Sequence, residues 1–326
     1  MDLKKCFFAL VVGLAVSTFL PFNFQSFAQD KYPSRAIEVI VPFNPGGPAD
    51  LGIRFFSDKW SEFLGQPVVV VNKGGASGGI GARYVARAEP DGYTLLASND
   101  SALITAHLNR KDAGYDTNSF RNIFYHSKIT AFFSVKSDAR WKTLKEFLAE
   151  AKNNPGKLKY ATWGPYSSSN MAIQMLCEAA GVKLTFVPFK TSPDSLAAVA
   201  GDNADIAVTF ALSGLGKTGM IRALAVSDSE RVPDYPDVPT LKELGYPIKF
   251  TSQYMGIAVP AKTSNEIVST LVDAHQKVRS KYAKEIVEKL PTIDQYPVYL
   301  NEKQSMQYLK EREKMYKDFY KKLGER

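Results

Sequence analysis

Apolar positions along this chain alternate between the period of a strand and the period of a helix. Ile37-Glu-Val-Ile-Val41 reads as a short buried strand that runs into Asn44, two prolines and two glycines. Ile53, Phe56, Trp60 and Phe63 then recur at helical spacing, and the helix is expected to stop at Gly65. The same alternation continues. Val68–Val71 is a strand, Ile80–Ala88 a helix ended by Pro90, and Thr94–Ala97 a strand. After a less regular stretch, Ala131–Val135 predicts a strand, and Thr143 with Glu146 forms a capping box for a helix reaching Asn153. Leu158–Ala161, Thr185–Val187, Ile206–Val208 and Ala223–Val226 are further strands, separated by helices at Met171–Ala180 and Ser195–Ala200. A loop studded with Pro233, Pro236 and Pro239 precedes an apolar run, Tyr254–Val259. Thr263 and Glu266 then box the start of a long helix to about Leu290. The pattern is α/β with parallel sheets.

The first residues alter the picture of where the chain works. Lys4 and Lys5 precede an apolar run from Cys6 to Leu20, and Ser26-Phe27-Ala28 offers small residues at the positions a signal peptidase reads. The run is short for a membrane span. The expectation is an exported chain starting near Gln29, without acylation, because Cys6 lies ahead of the apolar run. Removal of residues 1–28 leaves 298 residues and a net charge of +7, one below the whole chain's +8. Cys177 is then the sole cysteine, so no internal disulfide is available and stability must come from burial. The length suits two domains. The densest basic stretch, Lys303 to Arg326, is interleaved with acids and carries Met306, Leu309, Met315 and Phe319 on one face. That is a solvated amphipathic helix rather than a nucleic-acid surface.

Two loops carry the candidate chemistry. In Phe43–Asp50, Gly46 and Gly47 leave the backbone bare where a helix begins, and free N–H groups at a helix start attract anions. The alternative is a plain strand-to-helix turn with Asp50 as a cap. The second loop, Thr162–Asn170, holds Gly164, Pro165 and three serines, Ser167, Ser168 and Ser169, which can cap a helix or offer hydroxyl donors. Loops beyond the carboxyl ends of strands are where open α/β sheets bind ligands. A cleft lined by amides and hydroxyls rather than by arginine suits a small carboxylate.

Three enzyme-like motifs compete. Gly75-Ala-Ser77-Gly-Gly79 matches a nucleophile elbow, but a hydrolase needs a loop histidine, and His275 falls inside the long predicted helix while His107 and His126 lack partners in sequence. Gly74–Gly81 also mimics a dehydrogenase glycine turn, and Gly216-Lys-Thr218 a phosphate loop in which Ala211 stands where glycine is needed. A glycine-rich turn that lets helix and strand pack closely is the plainer reading. Cys177 reads as a small buried residue, and no metal or cofactor is called for.

Val41-Pro-Phe-Asn-Pro-Gly-Gly-Pro-Ala-Asp50, Leu64-Gly-Gln-Pro-Val-Val-Val, Gly75–Ala82, Pro90-Asp-Gly-Tyr-Thr-Leu-Leu96, Asn154–Ala161, Val187-Pro-Phe-Lys190, Arg222-Ala-Leu-Ala-Val226 and Pro236-Asp-Val-Pro-Thr240 occur in that order. Together they resemble the extracytoplasmic solute receptors of tripartite tricarboxylate transporters, the Bug family. The resemblance implies a two-domain periplasmic binding protein of type II, a flytrap with a central sheet in each domain. Residues 29–130 with 250–326 would form one domain and 131–249 the other. It implies a monomeric receptor in the periplasm, a membrane permease as partner and a carboxylate ligand held partly through water. The ligand would lie between Phe43, Asn44, Pro45, Gly46, Gly47 and Asp50 on one side and Ala161, Thr162, Trp163, Ser167, Ser168, Ser169 and Asn170 on the other. By position Asn99, Asp100, Ser101, Lys190 and Asp205 would also line it. Two departures stand out. Trp163-Gly-Pro-Tyr166 replaces small residues, and Phe210-Ala211-Leu212 replaces a Phe-Asp-Asn sequence. The lost acid argues against an amino-acid ligand, and the added rings slightly favour an aromatic acid such as a benzoate or phthalate type over an aliphatic diacid. A secreted serine hydrolase using Ser77, or a protein presenting its ligand to a membrane sensor, are the alternatives.

Overall fold

Four β-branched residues among the five of Ile37–Val41 (β1), all buried while Glu38 alone is exposed, make it the centre of a parallel trio, because a strand buried on both faces needs no strict alternation. In the computed structural model, which describes residues 31–212, 214–248 and 252–324, β1 pairs in parallel with Val68–Asn72 (β2) and Thr94–Ser98 (β3). The expected export segment, residues 1–28 with its cleavage near Gln29, lies outside the described residues. Elements from Tyr32 onward belong to one compact unit.

Helix α1 (Pro48–Leu64) follows β1, with Pro48 in its first turn, Ile53, Phe56 and Trp60 buried, and a left-handed Gly65 closing it. Helix α2 (Gly79–Ala86) follows β2. After β3, a π-helical turn over Ser101–Thr105 leads to Ala106–Leu108, and then to a ten-residue strand β4 (Phe120–Ile129). The chain then enters a second sheet through Phe132–Lys136 (β5). There α3 (Leu144–Asn153), β6 (Lys159–Thr162), α4 (Ser168–Ala180), β7 (Thr185–Pro188), α5 (Ser192–Ala200), β8 (Ile206–Thr209) and β9 (Ile221–Val226) follow. It returns through β10 (Gln253–Pro260), then α6 (Asn265–Lys281), α7 (Ala283–Lys289), β11 (Tyr296–Asn301) and α8 (Glu302–Leu323).

The strand orders are β11-β4-β10-β3-β1-β2 and β7-β6-β8-β5-β9. Neither sheet is wholly parallel. β10 runs antiparallel to β3 and β4, and β5 antiparallel to β8 and β9. This corrects the expectation of parallel sheets. A strand that enters from the other sheet need not follow the right-handed crossover that keeps neighbours parallel. β4 escaped the pattern because it buries polar Asn122, His126 and Ser127 beside its apolar residues. The long helix after the proline loop is also corrected. Its cap is Ser264, whose Oγ accepts from the Ile267 N–H, and the helix breaks at Tyr282 rather than running to Leu290.

Trp60, Phe56 and Phe124 pack around two histidines. Trp60 Nε1 donates to His275 Nδ1 at 3.1 Å, and Phe124 stacks on the His275 ring at 4.2 Å. Burial lowers the His126 pKa to about 3 and holds His275 well below its ordinary value. Cys177 is half-buried on α4, and burial pushes its thiol up to about 12. No helix among the described residues is long and apolar enough to cross a membrane.

Candidate functional site

The loops that leave the carboxyl ends of β1, β2, β3, β6, β7 and β8 converge on one cavity of about 510 Å³. From the first sheet come Phe43, Asn44, Gly47, Pro48, Ala49, the turn Gly74–Gly78, Asn99 and Arg110. Trp163–Tyr166, Phe189–Ser192 and Phe210 come from the second, with Ile129, Gln253 and Met255 from the strands that join them.

The first loop is held in shape from beneath. Asp50 is buried, and its Oδ2 accepts from the Gly46 N–H at 2.9 Å. Its Oδ1 accepts from Arg54 Nε at 3.0 Å and Asn72 Nδ2 at 2.9 Å, and that same Asn72 nitrogen also donates to the Phe43 carbonyl. Burial alone would raise the Asp50 carboxyl, but these donors outweigh it and hold it below the usual carboxylate range. Asp50 is therefore an anchor under the loop, and it does not cap the helix. Gly47 is the N-cap in extended backbone, with no side chain capping α1. The first intrahelical bond runs from the Leu51 N–H to the Gly47 carbonyl. The Ala49 and Asp50 amides, ahead of it, have no carbonyl within the helix. Gly47 and Ala49 face the cavity, so the positive end of α1 opens into it.

The second loop is arranged differently. Ser167 Oγ accepts from the Asn170 N–H and lies 3.0 Å from Ser169 Oγ, while donating to the Gly164 carbonyl at 2.8 Å. The Ser168 N–H donates to Ser101 Oγ at 3.1 Å, and the two hydroxyls are 3.0 Å apart. Asn170 accepts from the Tyr160 hydroxyl and donates to the Pro165 carbonyl. The three serines and Asn170 are buried and lie behind the cavity wall rather than on it. Ala161 and Thr162 are likewise buried in β6. What this loop offers the cavity is Trp163, whose ring meets Phe43 edge-on at 5.2 Å, and Tyr166, whose carbonyl accepts from Thr105 Oγ1 at 2.6 Å.

Of the other sequence candidates, Asn99, Lys190 and Phe210 line the cavity, and Asn99 Oδ1 also accepts from the Ala102 N–H. Pro45 and Gly46 sit in the first loop but not on the wall. Asp100 is fully buried beneath the wall, paired with Arg312 Nε at 3.0 Å and hydrogen-bonded by Tyr308 and Tyr316 from α8. Asp205 sits at the amino end of β8, away from the cavity, where its carboxylate accepts from the Lys159 N–H at 2.7 Å.

Tyr166, singled out in sequence with Trp163, does line the wall. The sequence reading missed Arg110, Phe189, Gln253 and Met255, and it preferred packing as the role of the Gly74–Gly78 turn. Packing does explain part of that turn. A Cβ on Gly74 would fall 2.6 Å from Asn44 Oδ1, and one on Gly81 2.8 Å from the Pro42 backbone. Ala76 and Ser77, however, hold left-handed backbone without being glycine, and such strain gathers at binding sites. The position of Ser77 beyond a strand end was the signal that could have placed it on the wall.

Two sheets whose loops meet over a cavity, joined by strands that pass between them, define a two-domain solute-binding protein of the periplasmic type. The solved "periplasmic transporter" aligns with a TM-score of 0.83 at 33% identity, covering 90% of this chain and 98% of that one. Periplasmic binding protein BugD gives 0.78 at 28%, with 90% and 99% covered. The R. palustris structure of Rpa4515 with adipate gives 0.83 at 25%, with 90% and 98% covered. In sequence, the UPF0065 protein in the gbd 5' region of Cupriavidus necator is 34% identical over 298 residues, 90% of this chain and 89% of that protein. The model of the tripartite tricarboxylate transporter family receptor matches residues 53–325. The chain belongs to that family of periplasmic solute receptors.

Proposed function

We propose that this chain captures a small, unaminated organic carboxylate in the periplasm and delivers it to the permease subunits of a tripartite transporter. The observation that carries the reading is the uncapped start of α1 opening into a cavity whose wall, among the described residues, has no acidic side chain. An ammonium group would find no partner there, whereas a carboxylate meets oriented amides and a favourable helix dipole. Phe43, Trp163, Phe189 and Phe210 line the remaining space with aromatic rings, which slightly favours an aromatic body over an aliphatic one. Relatives support the ligand class, because Rpa4515 was solved with adipate and MatC from Rhodopseudomonas palustris, at 25% identity, with bound malate.

The capture motion is a hinged closure of lobes 29–130 with 250–326 and 131–249. Its hinge is the pair of connections between the sheets, where Asp228 accepts from Lys128 Nζ at 2.8 Å, Thr130 Oγ1 at 3.0 Å and Ser252 Oγ at 2.6 Å. We read the chain as a monomer, exported with residues 1–28 removed. A hydrolase reading fits less well. His107 Nε2 is within 3.0 Å of Thr117 Oγ1, and His126 and His275 are buried in the aromatic cluster, so Ser77 has no histidine base beside it on the cavity wall.

A thermal-shift screen of mono-, di- and tricarboxylates, each against its amide, tests the proposal. At least one acid should raise the melting temperature, by about 2.7 kcal/mol of stability at a hundredfold excess over Kd, and its amide should not. Equal stabilisation by acid and amide would remove the anion site, and ester hydrolysis lost in Ser77→Ala would revive the hydrolase.

A further inference from the structure

Among the described residues, the cavity wall carries two cationic side chains, Arg110 and Lys190, and no acidic one. A carboxylate docked at the start of α1 answers only the helix dipole. Lys190 and an Arg110 whose partner Asp112 stands in solvent add a positive field over one small cavity that a monoanion at α1 only partly answers. The two cations differ in how well they are built to hold an anion. Lys190 is exposed at the rim after β7. Arg110 is half-buried, and its backbone is fixed by a turn in which its N–H donates to the His107 carbonyl and its carbonyl accepts from the Ala113 N–H. The loop that bears it meets the second sheet's loop where Thr105 Oγ1 donates to the Tyr166 carbonyl at 2.6 Å, so the guanidinium stands where the two lobes touch.

Among the described residues Arg110's side chain is hydrogen-bonded only to Asp112, through Nε at 3.3 Å and Nη2 at 3.2 Å. Asp112 is three-quarters exposed, so this pair lies in solvent, where such contacts contribute little and exchange readily. Nη1 makes no hydrogen bond to the described residues, and a guanidinium fork fits a carboxylate through two parallel donors.

We propose that Arg110 is a specificity-determining residue that holds the second carboxylate of a dianionic ligand, whose first carboxylate sits at the start of α1. This rests on the carboxylate-receptor reading above and narrows it to dicarboxylates. A ligand spanning the two anchors links α1 to the point where the lobes meet, and so favours the closed form.

The test is calorimetric titration of the full mature chain with succinate, adipate and terephthalate, each beside its monoamide. For the diacid that fits, wild type should bind roughly tenfold or more tighter than to the monoamide, the scale of a charge-assisted hydrogen bond. Arg110→Gln should abolish that preference while binding the monoamide within about twofold of wild type, and Arg110→Lys should fall between. Asp112→Asn, which removes the guanidinium's competitor, should tighten the diacid by about two- to threefold. Monoamide binding shows in the same experiment that the variants are folded. If Arg110→Gln keeps the diacid preference, or wild type shows none, the inference is overturned while the carboxylate reading stands. If wild type binds neither the diacids nor their monoamides, both fall.

Discussion

The two loop–helix junctions that face each other in this protein look alike in sequence and behave oppositely in structure. Both leave a strand, pass through glycine and proline, and open a helix. At the first, Gly47 caps nothing, Asp50 is turned downward to hold the loop, and the leading amides of α1 are left for something outside the chain. At the second, Ser167 Oγ accepts from the Asn170 N–H and Ser101 Oγ from the Ser168 N–H, so the chain's own hydroxyls take up amides at the start of α4. A helix start is an anion site only where its donors remain unspent. The second junction instead supplies rings and the Thr105–Tyr166 contact, so under the proposed function the first loop binds and its counterpart closes.

The largest effect that could break this contrast is steric. Gly47→Val places a branched side chain at the open N-cap, where the nearest atom to a new Cβ is 3.9 Å away and the backbone is unstrained. Carboxylate affinity should fall by about a hundredfold, roughly 2.7 kcal/mol, with little change in melting temperature. Calorimetry beside a thermal melt reads both, and a variant that binds normally would mean that the ligand does not approach α1.

Changing pH should separate binding from stability. His126, with its pKa lowered to about 3, and His275, held well below its ordinary value, stay neutral in the fold, whereas in the unfolded chain each takes up a proton near pH 6.5. Their stabilising effect is therefore whole above about pH 6.5 and is lost as pH falls below it. By pH 5 the loss from His126 is about 2 kcal/mol, measurable by denaturant titration, and His275 adds to it in the same direction. Asp50, held below the usual carboxylate range, remains ionised over that interval, so affinity for an acid that is itself fully ionised there, measured well below the melting temperature, should stay level. Affinity that falls in step with stability would tie the first loop to the histidine core.

Smaller effects sharpen the contrast from the other side. Ser167→Ala removes the α4 cap and should cost about 1 kcal/mol of stability while moving affinity less than about threefold. Trp163→Leu removes an edge-on ring contact with Phe43 and one ring face of the cavity. Tryptophan fluorescence and competition titration should then show aromatic acids weakened by about 0.5–1 kcal/mol relative to aliphatic acids of equal charge. Equal weakening of both would make Trp163 a packing residue.

What could be read from the chain alone follows the range over which each interaction acts. The strand, bare turn and helix of 37–65 are local, and period, proline and glycine state them directly. The serines of the second loop were legible as caps but not as spent donors, because Ser101 lies 67 residues earlier. Asp100 reads as a cleft acid until Arg312, 212 residues away, arrives on α8 to bury it. Arg110 carried no motif, and it reaches the wall only because a π-helical turn and a short helix carry the chain there. The mixed sheets were hidden for the same reason, since β10 and β11 join the first sheet only after the second is complete.

The central claim is that the ligand's carboxylate rests on the open start of α1 and not on the closed start of α4. Amide NMR of the isotope-labelled mature chain, titrated with the acid that gives the largest thermal shift, tests it most directly. The Ala49 and Asp50 amide protons should move downfield and saturate with the binding isotherm, while those of Ser168 and Asn170 shift only slightly. Large shifts at Ser168 and Asn170 with Ala49 and Asp50 unmoved would contradict the account.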